Sequence, residues 1–159
     1  MARTDKEEVP SGRTEARRTL SGLEYMRMLA AGELPPSGMG QLMGFRLVEV
    51  SAGHAVFVVT PDERHYNGIG IAHGGLAATL LDSATGCAVN TMMPAGRIFT
   101  TLEMKINYVR PLRRETGEVR CEARVIHVGG RVATAEGRIV DRAGKLYAHG
   151  TATCMLFRP

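Results

Sequence analysis

The chain has 159 residues, 44% of them hydrophobic, with 20 Lys and Arg against 16 Asp and Glu and a formal net charge of +4. Such a length suits one domain, and the apolar share is too high for disorder and sufficient for a core that needs no disulfide or metal staple. The small positive excess suits a polyanionic small ligand and equally an ordinary solvated surface. Nucleic-acid binding would require basic residues clustered on one stripe with aromatic partners, and the sequence has no such cluster.

Residues 1–18 form a charged leader, with nine charged side chains summing to +1, and are expected to be flexible. The leader lacks the apolar run of a secretory signal, and its acidic residues argue against a transit peptide. Residues 19–159 read as a single domain. Thr19 or Ser21 can cap a short helix over residues 22–32, ended by Gly32 and Pro35-Pro36. Two strands follow at residues 45–50 and 54–60, joined by a tight turn at Ala52-Gly53.

Between His65 and Gly96 only Asp82 carries a formal charge, leaving uncharged pieces of 17 and 14 residues. Neither piece reaches the ~20 apolar residues of a membrane helix. Residues 74–92 are apolar or small nearly all round, the composition of a helix buried on most sides. From Phe99 onward the period is two. Leu102, Met104, Ile106 and Tyr108 are expected on one face, with Thr101, Glu103, Lys105 and Asn107 on the other. Three further strands follow, the last two at residues 131–140 and 146–157, across turns at Gly129-Gly130 and residues 141–144. Four long strands without an intervening helix imply an antiparallel sheet, giving an α+β fold in which the sheet curls around one long central helix. Cys87, Cys121 and Cys154 are odd in number and far apart, as expected of small core residues in a reducing, cytoplasmic setting.

The constellation that points to chemistry is Asn67, then His73-Gly74-Gly75, then Asp82. Gly74 and Gly75 open the buried helix, where unpaired N–H groups and the positive dipole end can receive an oxyanion. Asp82, a lone carboxylate on an apolar helix, is a candidate base or nucleophile. Eight residues separate Gly74 from Asp82, about 12 Å along a helix. A base and an oxyanion donor must each lie ~3 Å from one reacting group, so one helix can hardly supply both. Two copies with antiparallel helices can, which predicts a dimer with two shared sites.

The run from Asn67 through His73-Gly74-Gly75-Leu76 to Leu81-Asp82 resembles the hotdog-fold acyl-CoA thioesterases, in the branch of the phenylacetic acid degradation thioesterase. Residues 107–111, the Gly129-Gly130-Arg131 hairpin and residues 148–152 are similar to that family as well, so the resemblance spans about residues 39–158. It implies a hotdog fold and hydrolysis of acyl-CoA, with an aryl-acetyl or medium-chain acyl group, to free acid and coenzyme A. Asp82 would be nucleophile or general base, the Gly74 N–H the oxyanion donor, His73 the residue that orders the loop and helix start, and Asn67 the group that polarises the thioester or positions water. Gly75 and Thr101 would contact substrate, and Arg110 and Arg131 its phosphates, with Arg113 and Arg114 as further contacts. The resemblance implies no metal or bound cofactor, an acyl-CoA substrate, and a homodimer or a dimer of dimers (a homotetramer).

Two other readings share the same pocket. A hydratase or dehydratase of acyl thioesters would want a paired His and carboxylate, whereas His73 precedes Asp82 by nine residues at a helix start. A non-catalytic acyl-CoA binding module would have no need of Asp82. Met26, Met28, Met39 and Met43 are expected to line the core or an apolar acyl pocket.

Overall fold

The computed structural model describes residues 11–158. In chain order it holds helices α1 (Ser11–Thr19), α2 (Gly22–Ala30) and α3 (Gly38–Met43), strands β1 (Arg46–Ser51) and β2 (His54–Val59), helix α4 (Gly74–Asn90), and strands β3 (Ile98–Tyr108), β4 (Val119–Val128), β5 (Val132–Asp141) and β6 (Leu146–Phe157). The six strands form one antiparallel sheet in the order β1-β2-β4-β5-β6-β3. The expected α+β architecture, a sheet curled around one central helix, is present. No described helix is long and apolar enough to cross a membrane.

The sheet holds α4 closely because its inward positions are small. Ala133, Ala135 and Ile139 of β5 and Ala148, Ala152 and Cys154 of β6 are buried, while α4 supplies volume through Leu76, Leu80 and Leu81. Gly86 of α4 lies so close to the Phe99 ring that a β-carbon there would stand 2.7 Å from it. Alternating small and large residues across such a contact gives the close packing of a protein interior.

Three features bear on the site. First, β3 carries a register shift against β6 between Thr101 and Glu103. The alternation therefore slips at Leu102, which is 56% exposed, while Thr101 joins Met104 and Ile106 on the half-buried face. A bulge inserts one unpaired residue and reverses the side-chain parity beyond it. Second, α4 is buried on most sides, as expected, and the stripe left uncovered by the sheet holds the candidate carboxylate: Gly75, Ala78, Thr79 and Ser83 are half-exposed and Asp82 is exposed, at helical spacing. Third, the leader is helical where it is described. The expectation of flexibility for residues 1–10 lies outside the described residues, but Ser11–Thr19 forms α1.

Helix α2 begins where predicted, with Ser21 and Glu24 forming a reciprocal capping box. Its first residue, Gly22, sits against the end of α4: a β-carbon there would overlap the carbonyl oxygen of Asn90, and the Gly22 N–H donates to the Met93 carbonyl at 2.9 Å. Helix α3, capped by Ser37, was not read from the sequence because its six residues include two glycines and offer no amphipathic period.

Candidate active site

The helix start is organised by its cap. His73 has extended backbone (φ −58°, ψ 140°), and its Nδ1 accepts a hydrogen bond from the Gly75 N–H at 2.9 Å. Its ring is therefore neutral at that nitrogen, with the proton assigned to Nε2. Among the described residues the Gly74 N–H has no acceptor, so of the two glycine amides one is used by the cap and the other points outward unpaired. The preceding loop is built on Asn67, whose Oδ1 accepts from the N–H groups of Ile69 (3.1 Å) and Ile71 (3.4 Å). With its oxygen so engaged, the Asn67 Nδ2 remains a donor. His65, buried beneath this loop, ties it to the end of α3: Nε2 contacts the Met43 carbonyl at 2.9 Å, and the His65 carbonyl accepts from the His73 N–H at 2.7 Å.

Asn67, His73 and Gly74 line one cavity of about 410 Å³ with Tyr108 and Arg110. The Arg110 guanidinium donates to the Leu146 carbonyl, which holds it at the rim. The edge of the Tyr108 ring lies 3.2 Å from where a Gly74 β-carbon would stand.

Asp82 lies at the far end of the exposed α4 stripe, and Thr101 Oγ1 donates to its Oδ1 at 2.8 Å. The register shift at Leu102 is what turns Thr101 toward the helix. Asp82 and Thr101 line a second cavity of about 500 Å³, walled largely by apolar side chains including Met26, Leu29, Phe57 and Phe99. Helix α2 contributes Tyr25 and Met26, which are 2% and 1% exposed. Beyond Asp82, Thr101 and Met26, the lining of this cavity was not read from the sequence. Of the other methionines, Met28 and Met43 are partly buried against the core, whereas Met39 is 51% exposed. Cys87 also lines it, and burial pushes its thiol up to about 12, so it stays protonated and is no nucleophile at neutral pH.

Within the chain the structure thus brings Asp82 together with Thr101, and Gly74 with His73, Asn67 and Arg110, as two separate groups. Arg131, at the β4–β5 turn, is exposed and lines neither cavity. It lies beside the Ile98 end of β3, because its neighbour Val132 pairs with Met155 and Ile98 with Phe157, whereas Arg110 follows the Tyr108 end. Arg114 faces the Glu63 carboxylate at 3.7 Å. Among the described residues no cluster of His, Cys, Asp and Glu is close enough to hold a metal ion.

The sequence model of the thioesterase superfamily matches residues 69–148. The chain belongs to that superfamily. It has the hotdog fold and is a thioester hydrolase by family. Human acyl-coenzyme A thioesterase 13 is 32% identical over 109 residues, covering 67% of this chain and 76% of that protein. Conserved protein PA5202 of Pseudomonas aeruginosa is 34% identical with a TM-score of 0.72, over 77% of this chain and 95% of that one. A mutant form of the phenylacetic acid degradation protein PaaI from Thermus thermophilus is 30% identical with a TM-score of 0.68, over 75% and 98% of the two chains. The matched family segment begins after α1, α2 and α3, so the wall contributed by the first two helices lies outside it.

Proposed function

We propose that the protein hydrolyses acyl-CoA thioesters at two equivalent sites, each made from Asp82 and Thr101 of one protomer and Asn67, His73 and Gly74 of a second. The observation that carries this reading is the division of the site in one protomer. The free Gly74 N–H and the Asp82 carboxylate sit in different cavities, at the two ends of one uncovered helix stripe. Ala78, half-exposed, is midway between them in sequence. A two-fold axis passing near Ala78 would bring each Gly74 to the partner's Asp82, as an isologous interface requires. Thr101 lies beside Asp82 and Tyr108 beside Gly74, so β3 shares the same midpoint, and its outer edge has no strand partner among the described residues. The same rotation would also bring Arg131 of one chain toward Arg110 of the other, where both can meet coenzyme A phosphates.

In the reaction the thioester carbonyl oxygen receives the Gly74 N–H, supported by the helix dipole and by Asn67 Nδ2. Asp82 acts as nucleophile or as the base that takes a proton from water. In the second case the hydroxide oxygen bonds to the acyl carbon, the C–S bond breaks, and the coenzyme A thiolate recovers the proton. Thr101 holds Asp82 in place, and the cap from His73 keeps the Gly75 amide occupied and the Gly74 amide aimed outward. The acyl group, aryl-acetyl or medium-chain, enters the 500 Å³ cavity behind Asp82. Its apolar walls and few polar groups are those of a small-molecule pocket. The test is release of free thiol from a panel of acyl-CoAs by the wild type, Asp82→Asn and Asp82→Ala. Turnover is expected to fall at least 100-fold in both variants; undiminished turnover in either would remove Asp82 from the mechanism.

A further inference from the structure

The cavity behind Asp82 is apolar along its length and strongly polar at one end. Its α4 wall runs from Asp82 through Gly86 and Cys87 to Asn90, eight residues and about 12 Å. Arg17 meets Asn90 at the far end, since both also line a small crevice there with Gly22 and Tyr25. Arg13 and Arg17 are one turn apart on α1 and are held against Tyr25. Arg13 Nε donates to Tyr25 Oη at 2.9 Å, and the Arg17 guanidinium stacks 4.8 Å from the Tyr25 ring centroid. These contacts occupy one donor of Arg13 and the face of Arg17, leaving the remaining in-plane N–H groups of both forks available. Neither guanidinium pairs with a carboxylate among the described residues. Asn90, 5% exposed, lines the same end of the cavity and adds a neutral amide to it. Burial first raises the Cys87 thiol, while Arg17 and Arg13 pull it back and Asp82 pushes it further, so this side chain senses both ends of the cavity.

We propose that this cavity selects acyl groups that end in a carboxylate, so that the preferred substrates are coenzyme A monothioesters of medium-length dicarboxylic acids. Arg13, Arg17 and Asn90 receive the distal carboxylate, the apolar walls hold the methylenes, and the thioester reaches Asp82. The two charges set the direction of entry: the terminal carboxylate is drawn to the arginines and repelled by Asp82. The proposal rests on the reading of Asp82 as the hydrolytic group. It assigns α1 and α2, which precede the matched family segment, to substrate choice.

The test compares kcat/KM for pairs of equal chain length, adipoyl-CoA with hexanoyl-CoA and suberoyl-CoA with octanoyl-CoA. The wild type is expected to prefer the carboxylated member by roughly 10- to 100-fold, the worth of a charge-assisted pairing. In Arg13→Gln/Arg17→Gln the ratio should fall toward one, and in Arg17→Lys, which keeps the charge, much of it should remain. A wild-type ratio of one or below, or a ratio unmoved in the double variant, overturns the proposal while hydrolysis of the neutral thioesters leaves the proposed function standing. Calorimetry of free suberate against octanoate on Asp82→Asn separates recognition from chemistry. Suberate binding that the arginine variant loses supports the carboxylate site even if no thioester is turned over; suberate binding no tighter than octanoate counts against it.

Discussion

Two inactive variants should restore each other if the site is shared. Asp82→Asn removes the nucleophile or base. Gly74→Pro removes the N–H proposed as oxyanion donor, at a position that accepts proline: Gly74 is the first residue of α4, and His73 before it already has the extended backbone that a following proline requires (φ −58°, ψ 140°). The new ring would approach the exposed Tyr108 side chain, whose nearest atom is 3.2 Å from a β-carbon at Gly74 and can move. Loss of one oxyanion donor costs roughly 100- to 1000-fold in kcat, and loss of the carboxylate at least as much. The geometry then sets the yield on mixing. Eight residues of helix, about 12 Å, keep Gly74 and Asp82 of one chain from serving one carbonyl, which needs both within ~3 Å. In a mixed dimer one site contains both substitutions and the other contains neither. Free reassortment makes about half of the dimers mixed, each with one intact site of two, so activity should return to roughly a quarter of wild type. The assay is free-thiol release after co-refolding the two variants in equal amounts, with each variant refolded alone as control. Activity that stays at the level of the separate variants would refute the shared site and require Asp82 and Gly74 to act within one chain.

Three further outcomes follow from particular contacts. Thr101→Val, which keeps the shape and removes the donor to Asp82, should lower kcat roughly 10- to 100-fold with little change in KM, and Thr101→Ser should recover most of the loss. Leu81→Ala, at a fully buried α4 position packed on Gly137 of β5, should cost about 2–5 kcal/mol in urea unfolding with an unchanged m-value. Asp62 is held at about 2 chiefly by its hydrogen bond from Arg64, well below its unfolded value. Its stabilising effect is therefore complete above pH ~4 and is lost as pH falls toward 2. The difference in unfolding midpoint between wild type and Asp62→Asn should accordingly shrink over that window and stay flat above it.

Much of the architecture was legible because the information is local. Period-two runs marked the four long strands, the uncharged stretch around Asp82 marked the central helix, and His-Gly-Gly marked its start with a side-chain cap that the structure contains. The eight-residue interval from Gly74 to Asp82 is likewise a property of one helix, and it alone argues that a second copy completes the site. The rest depended on pairings between distant segments. Whether Thr101 or Leu102 faces the helix is set by the shift of β3 against β6, which alternation within β3 could not reveal because the bulge reverses it midway. Asp82 is exposed in the protomer because the stripe around it lacks a sheet partner, something composition cannot distinguish from burial. The wall behind it comes from α1 and α2, some 60 residues earlier in the chain, where Arg13, Arg17 and Tyr25 read as an ordinary charged leader and a short helix. Local spacing pointed to the groups proposed for the chemistry and to the need for a second copy. Long-range packing decided what stands next to the carboxylate and what the substrate's far end would meet, because cavity walls and strand registers are made by contacts that no single stretch of sequence contains.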